Sequence, residues 1–198
     1  LLTKKGTSFK SMPEGSIIGT SSPRRKAQIK ILRPDLNTIS VRGNIATRIN
    51  KLQENHFDGL IIAKAAMERL NLSFENTYEF SYQEMLPAAS QGFIGIECIS
   101  SNKDLIKMLG SISSEKDMVL AEAERSFVAQ LNGSCLSPIA IYCREESSHV
   151  LVSAKALSQN GDKQIFKEII SSHASINEDI RSLAKEFISK GADKLILS

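Results

Sequence analysis

Three short apolar runs, each followed by a stretch with helical spacing, constrain this chain more than any other feature. Residues 16–20 read SIIGT, 38–42 read TISVR and 59–63 read GLIIA. Continuous apolar runs of this length suit strands buried on both faces. Between the first two lies 22–33, with Ala27, Ile29, Ile31 and Leu32 apolar and Pro34-Asp35 as its stop. After the second, Asn44 is a plausible N-cap for a helix to about Asn55, carrying Ile45, Ile49 and Leu52. A short helix, 65–70, follows the third run. Strand and helix alternating three times predicts a parallel sheet covered on both faces. Ligands of such sheets sit beyond the carboxyl ends of the strands.

Basic residues collect at those ends. Arg24 and Arg25 follow the first run, Arg42 and Arg48 the second, and Arg69 the third. Ser21, Ser22 and Gly43 lie beside them. Free N–H groups at strand ends and helix starts attract anions, and guanidinium adds bidentate contacts to carboxylates or phosphates. A single arginine there is an ordinary solvated residue. Five after three successive strands point to a pocket for a ligand with several acidic groups. Residues 19–51 hold eight Lys or Arg against one acid, a net +7; with the whole chain at +3, the remainder sums to −4. Such a local field suits an anionic small molecule.

The second half changes character. Residues 72–82 show no clear pattern, and 85–92 (MLPAASQG) read as a hinge or crossover. Residues 93–99 form another apolar strand-like run. Helical spacing marks 103–111 and 115–131. A loop, NGSCLSP, leads into strands 139–143 and 150–157, and a turn at Asn160-Gly161 leads to a third, 164–171. An amphipathic helix spans 177–190, and 195–197 suggests a last short strand. The fold class is therefore α/β: a parallel-sheet domain followed by a smaller α+β domain with a three-stranded sheet.

Chemistry-bearing motifs are few. Cys135 sits in the Gly-Ser-Cys loop, where a thiol is either reactive, covalently modified or inert. Cys98 and Cys143 fall in apolar runs and read as core. The cysteines form no CxxC pair and only three histidines are present, so no metal site is expected. The odd cysteine count points to a reducing, cytoplasmic compartment. No apolar run reaches the length of a membrane span. No phosphate-binding glycine motif occurs. With aromatic residues at 6%, a base-stacking surface is not expected, and the modest charge argues against nucleic acid.

Six blocks carry a resemblance: GTSSPRRKAQ, VRGNIATRINKL, LIIAKAAMERLNL, MLPAASQGFIGIE, AERSFVAQLNGSC and SPIA. Together, in this order and spacing, they resemble the porphobilinogen deaminase (hydroxymethylbilane synthase) family across most of the chain to about Ile141. The resemblance implies a cytoplasmic, monomeric transferase of tetrapyrrole and haem biosynthesis. Such an enzyme joins four porphobilinogen units head to tail, releases ammonia at each step and yields hydroxymethylbilane. It implies a dipyrromethane cofactor thioether-linked to Cys135, and carboxylate binding by Arg24, Arg25, Arg42, Arg48 and Arg69. Ser21, Ser22 and Gly43 match positions near those carboxylates. Gln91 and Gly92 match the inter-domain crossover beside the substrate site.

The family's first two domains have the periplasmic-binding-protein architecture. The resemblance thus divides the chain into 1–92, the arginine-rich second domain; 93–113, the return segment of the first domain; and 114–198, the C-terminal domain carrying Cys135. The rest of the first domain, with the aspartate that acts as general acid, matches nothing here. The chain is therefore expected to be truncated, inactive alone and prone to self-associate through 93–99. The chain departs from the family pattern at Pro23, Ala66, Ser90 and Ser134, the last three replacing glycines. All are small or turn-compatible, so little change in geometry is expected. The alternative is a non-catalytic small-anion-binding module of solute-binding type, which would need no cysteine.

Overall fold

The computed structural model describes residues 1–4 and 6–198; Lys5, within the patternless opening 1–14, lies outside the described residues. Two sheets with separate cores make up the fold. The first holds β1 (Leu2–Thr3), β2 (Ile17–Gly19), β3 (Asn37–Ile39) and β4 (Gly59–Leu60), in the order β1-β4-β2-β3. β2 runs parallel to both β3 and β4, as the alternating pattern predicts. β1 is antiparallel to β4, pairing Leu2 with Leu60 and Thr3 with Gly59, so the sheet is mixed rather than purely parallel. A two-residue strand leaves no periodicity to read, which is why the opening reads as a loop.

Neighbouring residues of each strand face opposite ways, and the sheet is covered on both sides. Leu1, Ile18 and Ile61 pack with Phe9, Ile29 and Leu36 on one face. Leu2 and Leu60 pack with Val41, Leu52 and Phe57 on the other. Helices α1 (Pro23–Leu32) and α2 (Ile45–Gln53) supply Ile29 and Leu52 to opposite faces. The Ser22 side chain accepts from the Arg25 amide and Pro23 occupies the first helical turn, where its missing N–H costs nothing. Asn44 caps α2, its Oδ1 accepting from the Thr47 N–H at 2.8 Å. Helix α3 (Lys64–Arg69) follows β4.

The run 93–99 is not a strand. Ile94, Ile96 and Ile99 are 60–76% exposed and no pairing partner lies beside them among the described residues. Apolar composition suits a strand, but only a neighbouring ladder makes one. Cys98 accordingly is half-exposed, not core. Helix α4 (Lys103–Ile112) follows, capped by Asn102, with Ile106, Met108 and Ile112 also exposed.

The second sheet is an antiparallel meander of β5 (Ile139–Glu146), β6 (His149–Leu157) and β7 (Gln164–Ser171). Helices α5 (Glu115–Gln130) and α6 (Ile176–Ser189) cover one face. Their Leu120, Ala123, Phe127, Ile180, Leu183 and Phe187 meet the inward residues Val150, Val152, Ala154 and Ala156 of β6. Residues 195–197 do not form a strand: α7 (Ala192–Leu195) ends there, the Leu195 N–H bonding the Gly191 carbonyl at 2.9 Å.

The other face of this sheet turns toward the first unit. Tyr142 lies 4.6 Å from Tyr82 between ring centroids, and Lys155 Nζ donates to the Gln83 carbonyl at 3.1 Å. Gly161, in the β6–β7 turn, has φ +75°, and a Cβ there would sit 2.5 Å from the Ala27 carbonyl of α1. Both the backbone angle and the contact require glycine.

Candidate anion site and cysteine loop

The loop after β2 is built by local capping. Ser21 Oγ donates to the Val41 carbonyl at 2.8 Å and accepts the Val41 N–H at 2.9 Å, tying the ends of β2 and β3 together. Helix α1 starts at once and brings Arg24 and Arg25 to the sheet's carboxyl edge. Arg24 is only 4% exposed. Its Nη1 donates to the Leu86 carbonyl at 2.5 Å and its Nη2 to Gln91 Oε1 at 3.1 Å. Arg25 donates to the Ile61 carbonyl, beyond β4, at 3.1 Å. Arg48 Nε donates to the Gly43 carbonyl at 2.7 Å, and exposed Arg69 donates to the Gly92 carbonyl. Arg42 and Gly43 lie exposed on the β3–α2 loop.

None of these five arginines has a carboxylate partner among the described residues. The arginine ion pairs there are Arg33–Asp35 and Arg144–Glu146, elsewhere. Burial first, and then the charge of Arg25, pull the Arg24 guanidinium's proton affinity well down. Burial and then Arg48 do the same to Arg25. Arginine stays protonated in proteins, so these directions measure a positive cluster held without a counter-charge. Buried unpaired charge is costly. An anionic ligand would offset that cost. Arg24 and Arg25 line a cavity of ≈ 950 Å³ together with Tyr78, Tyr82, Gln91 and Tyr142. Its walls are partly aromatic, with Lys64, Glu68 and Glu79 also on them, and the part that holds Arg24 and Arg25 suits the carboxylates of an aromatic ligand.

Of the residues expected from sequence, Arg24 meets Gln91, Arg69 meets Gly92, Arg48 meets Gly43, and Arg25 feels the charge of Arg48 while Arg24 feels that of Arg25. Cys135 stands apart. It is exposed and does not line the cavity, and no hydrogen bond links its loop to the arginines among the described residues. The loop itself is tightly made. A Cβ on Gly133 would lie 2.4 Å from Ile139 Cδ1 and 3.1 Å from the Val128 carbonyl oxygen, so a side chain there would push the Ile139 tip aside and crowd the end of α5. Ser134 Oγ accepts the Leu136 N–H at 3.1 Å and the Ser134 N–H donates to Ser137 Oγ at 3.0 Å, so the hydroxyl adds a local bond to the turn. Cys143 is buried, and burial pushes its thiol up, whereas Cys135 is open to reagents.

Sequence reasoning did not single out Gln28, Glu124, Tyr82 or Tyr142. Gln28 holds the crossover at both backbone groups of Leu86: its Nε2 donates to the carbonyl at 3.1 Å and its Oε1 accepts the N–H at 2.8 Å. Glu124 is 1% exposed and accepts from the Ser90 N–H at 2.6 Å and the Cys143 N–H at 2.7 Å. The spacing of Leu120, Ala123 and Phe127 carries the signal for Glu124, since a residue four after Leu120 shares the buried face. Ser90 has φ +55°, the left-handed region that glycine adopts without steric cost.

No helix among the described residues is long and apolar enough to cross a membrane. Residues 1–107 match the family model described as porphobilinogen deaminase, dipyromethane cofactor binding domain, and 118–189 match porphobilinogen deaminase, C-terminal domain. Among curated proteins, the chain is similar to the porphobilinogen deaminase of Campylobacter hominis, 41% identical over 98% of this chain and 64% of that protein. It is also similar to those of Campylobacter jejuni (serotype O:23/36) and Campylobacter curvus, 40% and 34% identical over 99% of this chain and 64% and 63% of those proteins. The chain thus spans a little under two thirds of the length of these relatives. With one family model covering more than half of it and a second following in order, the chain belongs to the porphobilinogen deaminase family.

Proposed function

We propose that this chain carries the arginine cradle and the cofactor cysteine of a hydroxymethylbilane synthase. That enzyme is a transferase that condenses four porphobilinogen units to hydroxymethylbilane and releases ammonia. The observation that carries the reading is buried Arg24 beside half-buried Arg25, neither with a carboxylate partner among the described residues, at an aromatic-walled cavity. Each porphobilinogen brings two carboxylates on an aromatic ring, the partners that Arg24 and Arg25 lack among the described side chains. Arg24, Arg25, Arg42, Arg48 and Arg69 hold the acetates and propionates, and Ser21, Ser22 and Gly43 flank them. Gln91 and Gly92 orient the crossover beside the ring. Fixed guanidinium groups supply both charge and alignment, which lowers the entropic cost of bringing two pyrroles together. The exposed thiol of Cys135 fits covalent attachment of dipyrromethane, which when bound supplies the primer pyrrole from which the product grows.

The same reading assigns the architecture of periplasmic binding proteins to the first sheet. It divides the chain into 1–92, 93–113 and 114–198, and places the reaction in the cytoplasm, in keeping with three unpaired cysteines. The enzyme is read as a monomer. For this chain alone, the open apolar surface of 93–99 and α4 supports self-association. Sedimentation is expected to show dimers or larger species, and a clean monomer overturns that part.

The function is tested on protein purified from cells that make porphobilinogen. Calorimetry is expected to show saturable porphobilinogen binding, and intact mass with peptide mapping decides whether Cys135 carries a dipyrrole adduct that Cys135→Ser lacks. Binding without the adduct retains the cradle and rejects the attachment. Neither adduct nor binding overturns the reading.

A further inference from the structure

The crossover 87–92 supplies the Arg24 partner Gln91 and the Arg69 partner Gly92. Its own backbone is under strain: Ser90 sits at φ +55°, a region that costs an L-residue ~1 kcal/mol or more. Something must hold it there. Gln28 holds the Leu86 end. At the other end the partner is Glu124 of α5, a buried carboxylate that accepts one backbone N–H from the crossover and one from β5. Ser90 Oγ adds a bond to the Ala121 carbonyl at 3.2 Å.

We propose that Glu124 is a positioning residue of the anion site: its carboxylate fixes Ser90, and through Ser90 places Gln91 and the Gly92 carbonyl against Arg24 and Arg69. The proposal deepens, and rests on, the anion-site reading above. Glu124 touches no ligand, and no cation pairs with it among the described residues. Facing it are the Tyr142 hydroxyl and Cys143 thiol of β5, both pushed up chiefly by burial and partly by its charge; the crossover presents no titratable group.

The latch has a pH dependence of definite sign. Burial raises the Glu124 carboxyl to about 7, against two N–H donors that pull it down. Above that pH the carboxylate accepts both bonds. Below it the proton removes an acceptor lone pair and the hold on Ser90 loosens. Overall stability moves the other way. The raised value makes this group's contribution greatest below its unfolded value of 4.5, and that contribution is lost as pH rises through about 7. A merely structural carboxylate would change stability with pH but not the anion site.

The test uses the 198-residue chain with nitrogen-15 labelling, and porphobilinogen as probe. In Glu124→Gln the Ser90 amide and Gln91 side-chain amide signals are expected to shift. Porphobilinogen Kd should weaken by about tenfold, the loss of one charge-assisted bond. In the unsubstituted chain the same signals and the affinity should step together near neutral pH. The step should be missing from Glu124→Gln, which keeps every histidine. Unchanged Ser90 and Gln91 signals with unchanged Kd in Glu124→Gln overturn the proposal. If that variant does not fold, the unsubstituted chain decides: no step at Ser90 between about pH 5.5 and 8.5 overturns it. If porphobilinogen does not bind at all, the anion-site reading fails, while the Ser90 and Gln91 signals still report on the latch.

Discussion

Replacing Arg24 by methionine is expected to weaken porphobilinogen binding by roughly 30- to 140-fold, the equivalent of about 2–3 kcal/mol for charge-assisted bonds, while leaving the fold as stable as before or more so. The two effects have different causes. Arg24 is 4% exposed and its charge has no counter-charge among the described residues, so folding bears its desolvation without repayment. Methionine has a similar reach and is apolar, and it fits a site already walled by Met85 and Tyr82. Losing the donors to Leu86 and Gln91 costs something, but Gln28 Nε2 still bonds the Leu86 carbonyl. Calorimetry with porphobilinogen measures the first effect and urea unfolding the second. A variant that unfolds more easily and still binds normally would show that Arg24 is structural and that the cradle lies elsewhere. Lysine at the same position should recover only part of the affinity, because a point charge cannot reproduce the planar fork.

Phe187→Ala is expected to destabilise the second sheet's unit by about 3–5 kcal/mol. Phe187 is fully buried, and its ring meets the equally buried Phe127 edge-on at 5.1 Å between centroids. Truncation removes the transfer free energy of the ring and leaves a cavity between α5, α6 and the meander, where little can collapse into it. A unit of this size has only a few kcal/mol to spare. The reporter is Cys143, 4% exposed in the same core. Its thiol should become reactive at a much lower urea concentration than in the unsubstituted chain. Ile170→Ala, at a residue 71% exposed on β7, is the control and should change stability by no more than about 0.5 kcal/mol. A Cys143 that stays protected in Phe187→Ala would contradict the packing described here.

What could be read from sequence, and what could not, follows from range. Helices α1, α2 and α5 announce themselves through local apolar spacing, and α2 also through Asn44 at its N-cap. The meander was legible because each strand lies next to its partner in the chain. β1 was not, because its register with β4 joins residues 56 and 58 apart and spans only those two pairs. The run 93–99 misled because composition records what a segment would bury, not whether a neighbour exists. In the site, the arginines were visible as residue types at strand ends. The roles of Gln28 and Glu124 were not: helical spacing marks Glu124 as buried, but each acts by bonding the backbone of a distant segment, and such partners leave no mark on sequence.

Helix α1 has a second consequence. Its first turn carries Arg24 and Arg25, while the Ala27 carbonyl one turn on is the surface against which the Gly161 turn of the other sheet rests. A ten-residue helix is stiff on this length scale. One stiff element thus joins the β6–β7 turn to the guanidinium groups, and any displacement of the meander against the first sheet would bear on the helix that carries both. The bare glycine at 161 sets how closely the two bodies engage, and so how faithfully one follows the other.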